Sequence, residues 1–108
     1  MREIKREKIA EILHRLAAEF VRDEASPASL LTITRVELSH VGKDAKIFFT
    51  TLPESEEDTA LKFLVRKSPE FKKYIRDKSR IGIVPHISFK IDYGERNRQR
   101  LDELSNKI

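Results

Sequence analysis

Residues 31–50, LTITRVELSHVGKDAKIFFT, contain the pattern on which the fold of this chain depends. Two runs rich in β-branched and aromatic residues flank the turn residues of 42–44, and apolar side chains alternate with polar ones in both runs. The alternation slips by one residue at Arg35, which predicts a β-bulge in the first strand. The second run places Ala45, Ile47 and Phe49 on its apolar face. This stretch therefore predicts a β-hairpin.

The hairpin is preceded by an amphipathic helix. From Ile4 onward, apolar residues recur at intervals of three and four, which is the spacing of one helix face. We expect the helix to end before residue 23, because Pro27 restricts the backbone of the residue that precedes it. The apolar face consists of Ile9, Ile12, Leu13, Leu16, Ala17 and Phe20.

A second helix is predicted after the hairpin. Ser55 supplies a hydroxyl cap, and acidic residues follow it in the first turn, where the helix dipole favours them. The apolar positions expected to face inward are Leu61, Leu64, Val65, Phe71, Tyr74 and Ile75. Pro69 lacks a backbone N–H, so we expect a kink or short break at Ser68 and Pro69 that leaves the apolar stripe intact.

The third strand is predicted to start at Pro85 and to end at Gly94. Ile87, Phe89 and Ile91 alternate there with polar residues. The remainder, 95–108, is charged and carries leucines at helical spacing. We therefore predict an α+β domain over residues 1–94, in the order α-β-β-α-kink-α-β with a three-stranded sheet packed on helices. Residues 95–108 are predicted to form a charged C-terminal tail that is able to become helical.

Composition narrows the function classes. The chain has 108 residues, no cysteine, a formal charge of +4 and a pI near 9.5. A lack of cysteine excludes thiol nucleophiles and thiolate metal sites and suits a reducing compartment, so we expect the cytoplasm. The sequence contains no run approaching the roughly 18 apolar residues of a membrane span, and its N-terminus alternates charges, so we expect neither membrane insertion nor secretion.

No motif for catalysis is found. His14, His40 and His86 fall on different predicted elements and have no metal-ligand spacing. None of the three glycines neighbours another, which excludes a glycine-rich phosphate loop. The acidic run 54–58 is explained as a solvated helix start. We therefore expect no enzyme activity, no metal, no cofactor and no small-molecule substrate.

Basic residues are concentrated in one window. Residues 66–80 carry a net charge of +5, more than the whole chain. Lysine and arginine beside a helix kink favour contact with the phosphates of RNA or DNA, as do the N–H groups at a new helix N-terminus. The predicted phosphate-binding residues are Arg66, Lys67, Lys72, Lys73, Arg76, Lys78 and Arg80. A second, weaker patch is formed by Arg2, Lys5, Arg6 and Lys8, offset by Glu3 and Glu7.

Three segments, in order, resemble the type II KH domain of the ribosome-binding factor A family. Residues 32–39, TITRVELS, followed by residues 45–49, AKIFF, look like the first hairpin of that family, and residues 85–92, PHISFKID, resemble its proline, apolar, phenylalanine, aspartate pattern. Residues 67–69, KSP, stand where the family kinks its helix pair. The resemblance extends over about residues 3–104.

The resemblance implies a non-enzymatic factor for maturation of the small ribosomal subunit. Such a protein would bind free small subunits and their rRNA as a monomer and assist late rRNA processing. The basic residues would position phosphates, while the shape of the RNA would supply specificity. Two alternatives stay open: a protein-interaction module whose basic face binds an acidic partner, and a small nuclease or RNA-modifying enzyme using His86 with Asp92, or His14 with a glutamate.

Overall fold

A computed structural model describes residues 3–24 and 30–106 of the chain. The elements are α1 (Glu3–Glu24), β1 (Leu30–Leu38), β2 (Asp44–Leu52), α2 (Glu57–Lys78), β3 (His86–Ile91) and α3 (Tyr93–Asn106), with a 3₁₀ turn at Glu54–Glu56 before α2. The predicted α+β class is confirmed. The helix α3 includes most of the expected tail, and the division of the chain into a domain and a tail stays a prediction.

The three strands form one mixed sheet in the order β1-β2-β3. The strands β1 and β2 pair in antiparallel fashion, which confirms the hairpin, and their register shifts between Ile33 and Arg35, which confirms the bulge. The strands β2 and β3 are parallel, so the chain must cross over between them, and α2 makes that crossover. His86 begins β3 one residue after the predicted start at Pro85.

The core lies between the sheet and the two long helices. The apolar faces of the strands turn toward this core, as predicted from their alternation: Ala45, Ile47 and Phe49 of β2 and Ile87 and Phe89 of β3 are buried, whereas in β1 only Ile33 is fully buried. Ring contacts join the layers: the centroid of Phe71 lies 5.2 Å from that of Phe20 on α1 and 5.9 Å from that of Phe89 on β3. The largest fully buried side chains are Phe49, Phe71, Leu13, Leu16, Ile47, Leu64 and Ile75.

The helix α2 continues without a break from Glu57 to Lys78 and contains Pro69. The chain therefore has no break at Ser68 and Pro69 and no second helix N-terminus there, while the kink that was the other expectation for these two residues stays a prediction. Proline removes one backbone donor, the one that would bond the carbonyl of Val65, and packing on the opposite face of the helix maintains the turn. The hydroxyl of Ser68 donates to the carbonyl of Leu64 at 3.0 Å.

Two local predictions about α2 are also wrong. Ser55 does not cap it, because residues 54–56 form the 3₁₀ turn and α2 starts at Glu57 with no side-chain hydrogen bond at its N-cap. Val65, expected inside, is 59% exposed. It stands one helical position beyond Leu64, about 100° around the helix axis, which turns it from the core toward solvent.

The helix α3 is joined to the start of α2 mainly by ion pairs. Arg96 donates to the carboxylate of Glu57 at 2.8 Å, and Arg100 pairs with Glu54. Leu101 and Leu104 are exposed, so α3 adds little to the core. No helix within residues 3–24 and 30–106 has the length and apolar character that crossing a membrane requires.

Candidate nucleic-acid interface

Exposed basic residues form a stripe along the outer face of α2. Residues 62, 66, 69, 73 and 76 are separated by alternating steps of four and three, so they share one side of the helix. All five are exposed, whereas Ala60, Leu64, Phe71 and Ile75 are buried on the other side. The α2 stripe is defined here as Lys62, Arg66, Lys72, Lys73 and Arg76, with Lys72 half-buried at its border.

Lys62 was missed because the charge cluster was counted along the sequence from residue 66. It lies one turn before Arg66 and is exposed on the same face. The helical spacing of four would have identified it, since residues four apart are neighbours on a helix surface.

The α2 stripe carries uncompensated charge. Across the described part of the chain, no carboxylate lies within ion-pair distance of any of its members, nor of Lys78 or Arg80. Lys67 is different, because its Nζ lies 3.4 Å from a carboxylate oxygen of Glu70 and 3.9 Å from one of Glu24 at the end of α1. Lys67 is therefore partly neutralised, and its predicted phosphate contact stays a prediction.

On the face of α2 beside α1, polar side chains contact residues of α1 and are not left unpaired. The hydroxyl of Tyr74 donates to Glu19 at 3.3 Å, and burial together with the charge of Glu19 raises the pKa of that phenol. The ammonium of Lys78 lies 5.8 Å from the centre of the Tyr74 ring. Together with the pair between Lys67 and Glu24, these contacts show that α1 and α2 run antiparallel.

The loop after α2 extends the basic surface. A cavity of about 320 Å³ opens there, and Ile83 beyond it is 93% exposed. Gly82 has φ +87°, a backbone conformation that L side chains rarely adopt, so glycine suits this turn. The cavity is lined by Arg76, Ser79, Arg80, Ile81, Gly82 and Val84.

The N-terminal patch lies at the same end of the molecule. Arg6 donates to the carbonyls of Leu38 and Ser39 at 3.2 and 3.1 Å, which attaches α1 to the end of β1. The amide of His86, just after the loop that follows α2, donates to the carbonyl of Lys43 in the hairpin turn at 2.8 Å. The start of α1, the hairpin turn and that loop are therefore neighbours. Lys5 is exposed at this end, and Arg2 lies outside the described residues.

The histidines do not converge. The Nε2 of His14 donates to the carbonyl of Ile33 at 3.2 Å, and His40 and His86 are exposed on the hairpin turn and on β3. Within the described residues, no group of three or more histidine and carboxylate side chains is arranged to hold a metal ion. Asp92, which the enzyme alternative paired with His86, instead accepts hydrogen bonds from Thr34, Arg35 and the amide of Glu95.

Comparisons with known proteins agree with this architecture. A family model described as ribosome-binding factor A matches residues 3–105. Ribosome-binding factor A of Alkalilimnicola ehrlichii is 32% identical over 104 residues, which cover 89% of this chain and 80% of that protein. The Staphylococcus epidermidis protein of the same name is 27% identical over 111 residues, covering 96% of both chains.

A solved structure shares the fold. The crystal structure of ribosome-binding factor A from Thermus thermophilus superposes with a TM-score of 0.71 over 80% of this chain and 93% of that chain, at 24% identity. The fold, the ordered segments and the sequence matches lead to one assignment. This chain belongs to the ribosome-binding factor A family, whose members are non-enzymatic maturation factors of the small ribosomal subunit.

Proposed function

We propose that this chain binds the small ribosomal subunit by placing the α2 stripe and the neighbouring loop against phosphates of the rRNA. The observation that carries the proposal is the lack of carboxylate partners along that surface, among the residues that the structure describes. Unpaired lysine and arginine side chains attract polyanions and release condensed counterions from them when they bind.

The contributions of the individual residues differ. Direct phosphate contacts are proposed for Lys62, Arg66, Lys72, Lys73, Arg76, Lys78 and Arg80, with Lys5 as a second site at the end of the molecule and Arg2, outside the described residues, as a further contact. Arg6 donates to backbone carbonyls at the end of β1, so its main effect is to position α1 against the hairpin. Lys67 pairs with Glu24, so its main effect is to position α1 against α2. Pro69 lies exposed among the members of the stripe and presents little bulk, which allows the RNA backbone to approach the helix, whereas Ser68 is half-buried and donates to the carbonyl of Leu64.

Phosphate contacts of this kind recognise the shape of the RNA and not its base sequence. Phosphate contacts fix orientation, and RNA helices are recognised largely by their shape. We infer that the protein acts late in assembly as a cytoplasmic monomer, on free small subunits, where it stabilises an immature rRNA conformation and assists processing of the rRNA. No cofactor is needed for such a role, because no covalent bond is made or broken by the protein.

Charge reversal on the α2 stripe tests the proposal. The triple substitution of Lys72, Lys73 and Arg76 by glutamate is expected to leave the fold intact and to abolish cosedimentation with free small subunits on a density gradient. Each phosphate contact contributes about 0.7–0.9 to the slope of log affinity against log salt, so the slope is also expected to fall by about two to three.

A matched control reverses three exposed arginines elsewhere. Arg15 and Arg22 are exposed on α1 and Arg98 is exposed on α3, and their replacement by glutamate gives the same change in net charge. This control is expected to cosediment like the unaltered protein. Normal cosedimentation of the α2 variant would contradict the proposal, as would binding that survives RNase digestion, which would favour an acidic protein partner.

A further inference from the structure

One face of the sheet is not covered by the long helices. The buried residues Ala45, Ile47 and Phe49 on β2 face α1 and α2, so Lys46 and Phe48 between them point to the opposite face. The pairing register places further residues around these two on the same face. They are Asp44 on β2, Arg35 and Glu37 on β1, and His86, Ser88 and Lys90 on β3.

An arginine lies flat at the centre of this open face. The guanidinium carbon of Arg35 is 3.7 Å from the centroid of the Phe48 ring, a close stacking contact. The Nε of Arg35 donates to Asp92 at 3.2 Å, and another guanidinium nitrogen pairs with Glu37. The side chain of Arg35 is nevertheless 47% exposed. Its outer surface is thus a planar, solvent-facing guanidinium that is held in place by its two carboxylate partners.

Two lysines flank this guanidinium. Lys90 is the register partner of Phe48, and Lys46 is the partner of Ser88, so the lysines form a diagonal pair on neighbouring strands. Such pairs lie about 7–8 Å apart, a spacing at which both can contact neighbouring phosphates of one strand. Both lysines are exposed, and neither has a carboxylate partner among the residues that the structure describes.

We propose that this open sheet face is a second RNA-binding surface, which takes a short single-stranded segment by stacking a base on the Arg35 guanidinium and holding its phosphates with Lys46 and Lys90. Unpaired bases stack on aromatic rings and on guanidinium planes, and such stacking tolerates different sequences. The identity of this RNA as rRNA rests on the proposed function, but the surface uses none of the residues of the α2 stripe.

The chemistry of the face favours a nucleic acid over a second protein. The stable core of a protein interface is depleted of charged residues, whereas this face has Phe48 surrounded by arginine and lysine. Arg35 engages Glu37 and Asp92, so the charges without an ion-pair partner in the described part of this face are those of Lys46 and Lys90 and, at its edge, the single carboxylate of Asp44.

The test uses the full chain and a fluorescently labelled octamer of oligoadenylate. Amide chemical shifts recorded during the titration are expected to move on β1, β2 and β3 around Arg35, Phe48 and Lys90. Replacing Arg35→Lys keeps the charge but removes the plane, and Phe48→Leu removes the ring; each is expected to weaken octamer binding by about 5- to 100-fold. Circular dichroism of both variants checks that they are folded.

Charge reversal provides the matched comparison. The double variant Lys46→Glu, Lys90→Glu is expected to lose octamer binding, whereas Arg15→Glu, Arg22→Glu, with the same change in net charge on α1, is expected to retain most of it. Shifts confined to α2, equal binding by Arg35→Lys, or equal losses in the two double variants would each overturn the inference.

The two proposals fail separately. If the octamer shifts the sheet residues while the α2 triple variant still cosediments with small subunits, the α2 docking surface is wrong and the sheet surface stands. If the α2 variant loses the subunit while the octamer leaves the sheet unchanged, the sheet surface alone is wrong.

Discussion

Asp92 illustrates how one residue joins several parts of the molecule. Its carboxylate is nearly buried at the end of β3, where it accepts hydrogen bonds from the hydroxyl of Thr34 at 2.6 Å and from the amide of Glu95 at 3.0 Å. Arg35 adds a charged contact. The bulge in β1 turns Thr34 and Arg35 toward this carboxylate, and the Glu95 amide belongs to the first turn of α3. The position thus ties β1 and α3 to the end of β3.

The pKa of Asp92 leads to a prediction about stability and pH. Burial opposes ionisation, but the hydrogen bonds and the charge of Arg35 outweigh it and hold the pKa below its ordinary value. The carboxylate of Asp92 therefore stabilises the native state fully above its pKa in the unfolded chain, about 3.9. This stabilisation is lost as pH falls through the pKa of Asp92 in the folded protein. Asp92→Asn is expected to lower the free energy of unfolding at pH 7 by about 1–3 kcal/mol.

Urea unfolding at two pH values checks this expectation. The difference in unfolding free energy between Asp92→Asn and the unaltered protein is expected to shrink at pH 3, because Asp92 of the unfolded chain binds a proton below about pH 3.9 and the stabilisation by the charged form then declines. The control Asp102→Asn changes an exposed carboxylate and is expected to have little effect at either pH. An equal difference at both pH values for Asp92→Asn would contradict the assigned role of the charge.

At the scale of elements, α2 shows packing prevailing over local preference. Proline in a helix interior costs about 3 kcal/mol, yet Pro69 lies within an unbroken 22-residue helix. Leu64 before it and Phe71 and Ile75 after it are buried on one side, so a break would remove part of the core. Continuity in turn keeps Arg66 and Arg76, on either side of the proline, on one face.

Replacing Pro69→Ala is expected to raise the free energy of unfolding by up to about 3 kcal/mol. Alanine restores a donor for the carbonyl of Val65 and removes the ring from the helix interior. Thermal unfolding with Thr59→Ala as the control, an exposed site earlier in α2, measures the effect. A loss of stability in Pro69→Ala would show that the proline ring makes a contact that stabilises the native helix.

At the scale of the whole molecule, the domain has one core and two kinds of outer surface. The helices α1 and α2 cover one side of the sheet, and α2 turns its basic stripe away from that core. The other side of the sheet remains open, with α3 held by ion pairs at the end near Glu54 and Glu57. The basic stripe of α2 and the open sheet face with Lys46 and Lys90 therefore lie on opposite sides of the domain, so the two proposed RNA-binding surfaces would not compete for one position.

The single core predicts a large effect from one buried ring. Phe89 is 6% exposed and contacts Phe71 across the layers. Phe89→Ala is expected to lower the free energy of unfolding by about 3–5 kcal/mol, measured by urea unfolding. Ile83→Ala is the control, because that side chain is almost fully exposed and its loss is expected to change stability by less than about 0.5 kcal/mol. Similar values for both variants would place Phe89 outside the core.

The sequence by itself determined the elements, the hairpin and its bulge, the buried strand faces and the family, because each depends on local spacing or on ordered motifs. It also located the basic window of residues 66–80. Only the tertiary structure decided which of those charges are available, because the partners of Lys67 and Arg6 are distant in sequence. It likewise decided that Pro69 stays helical and that Arg35 stacks on Phe48, since packing between layers and pairing between strands outweigh local preferences.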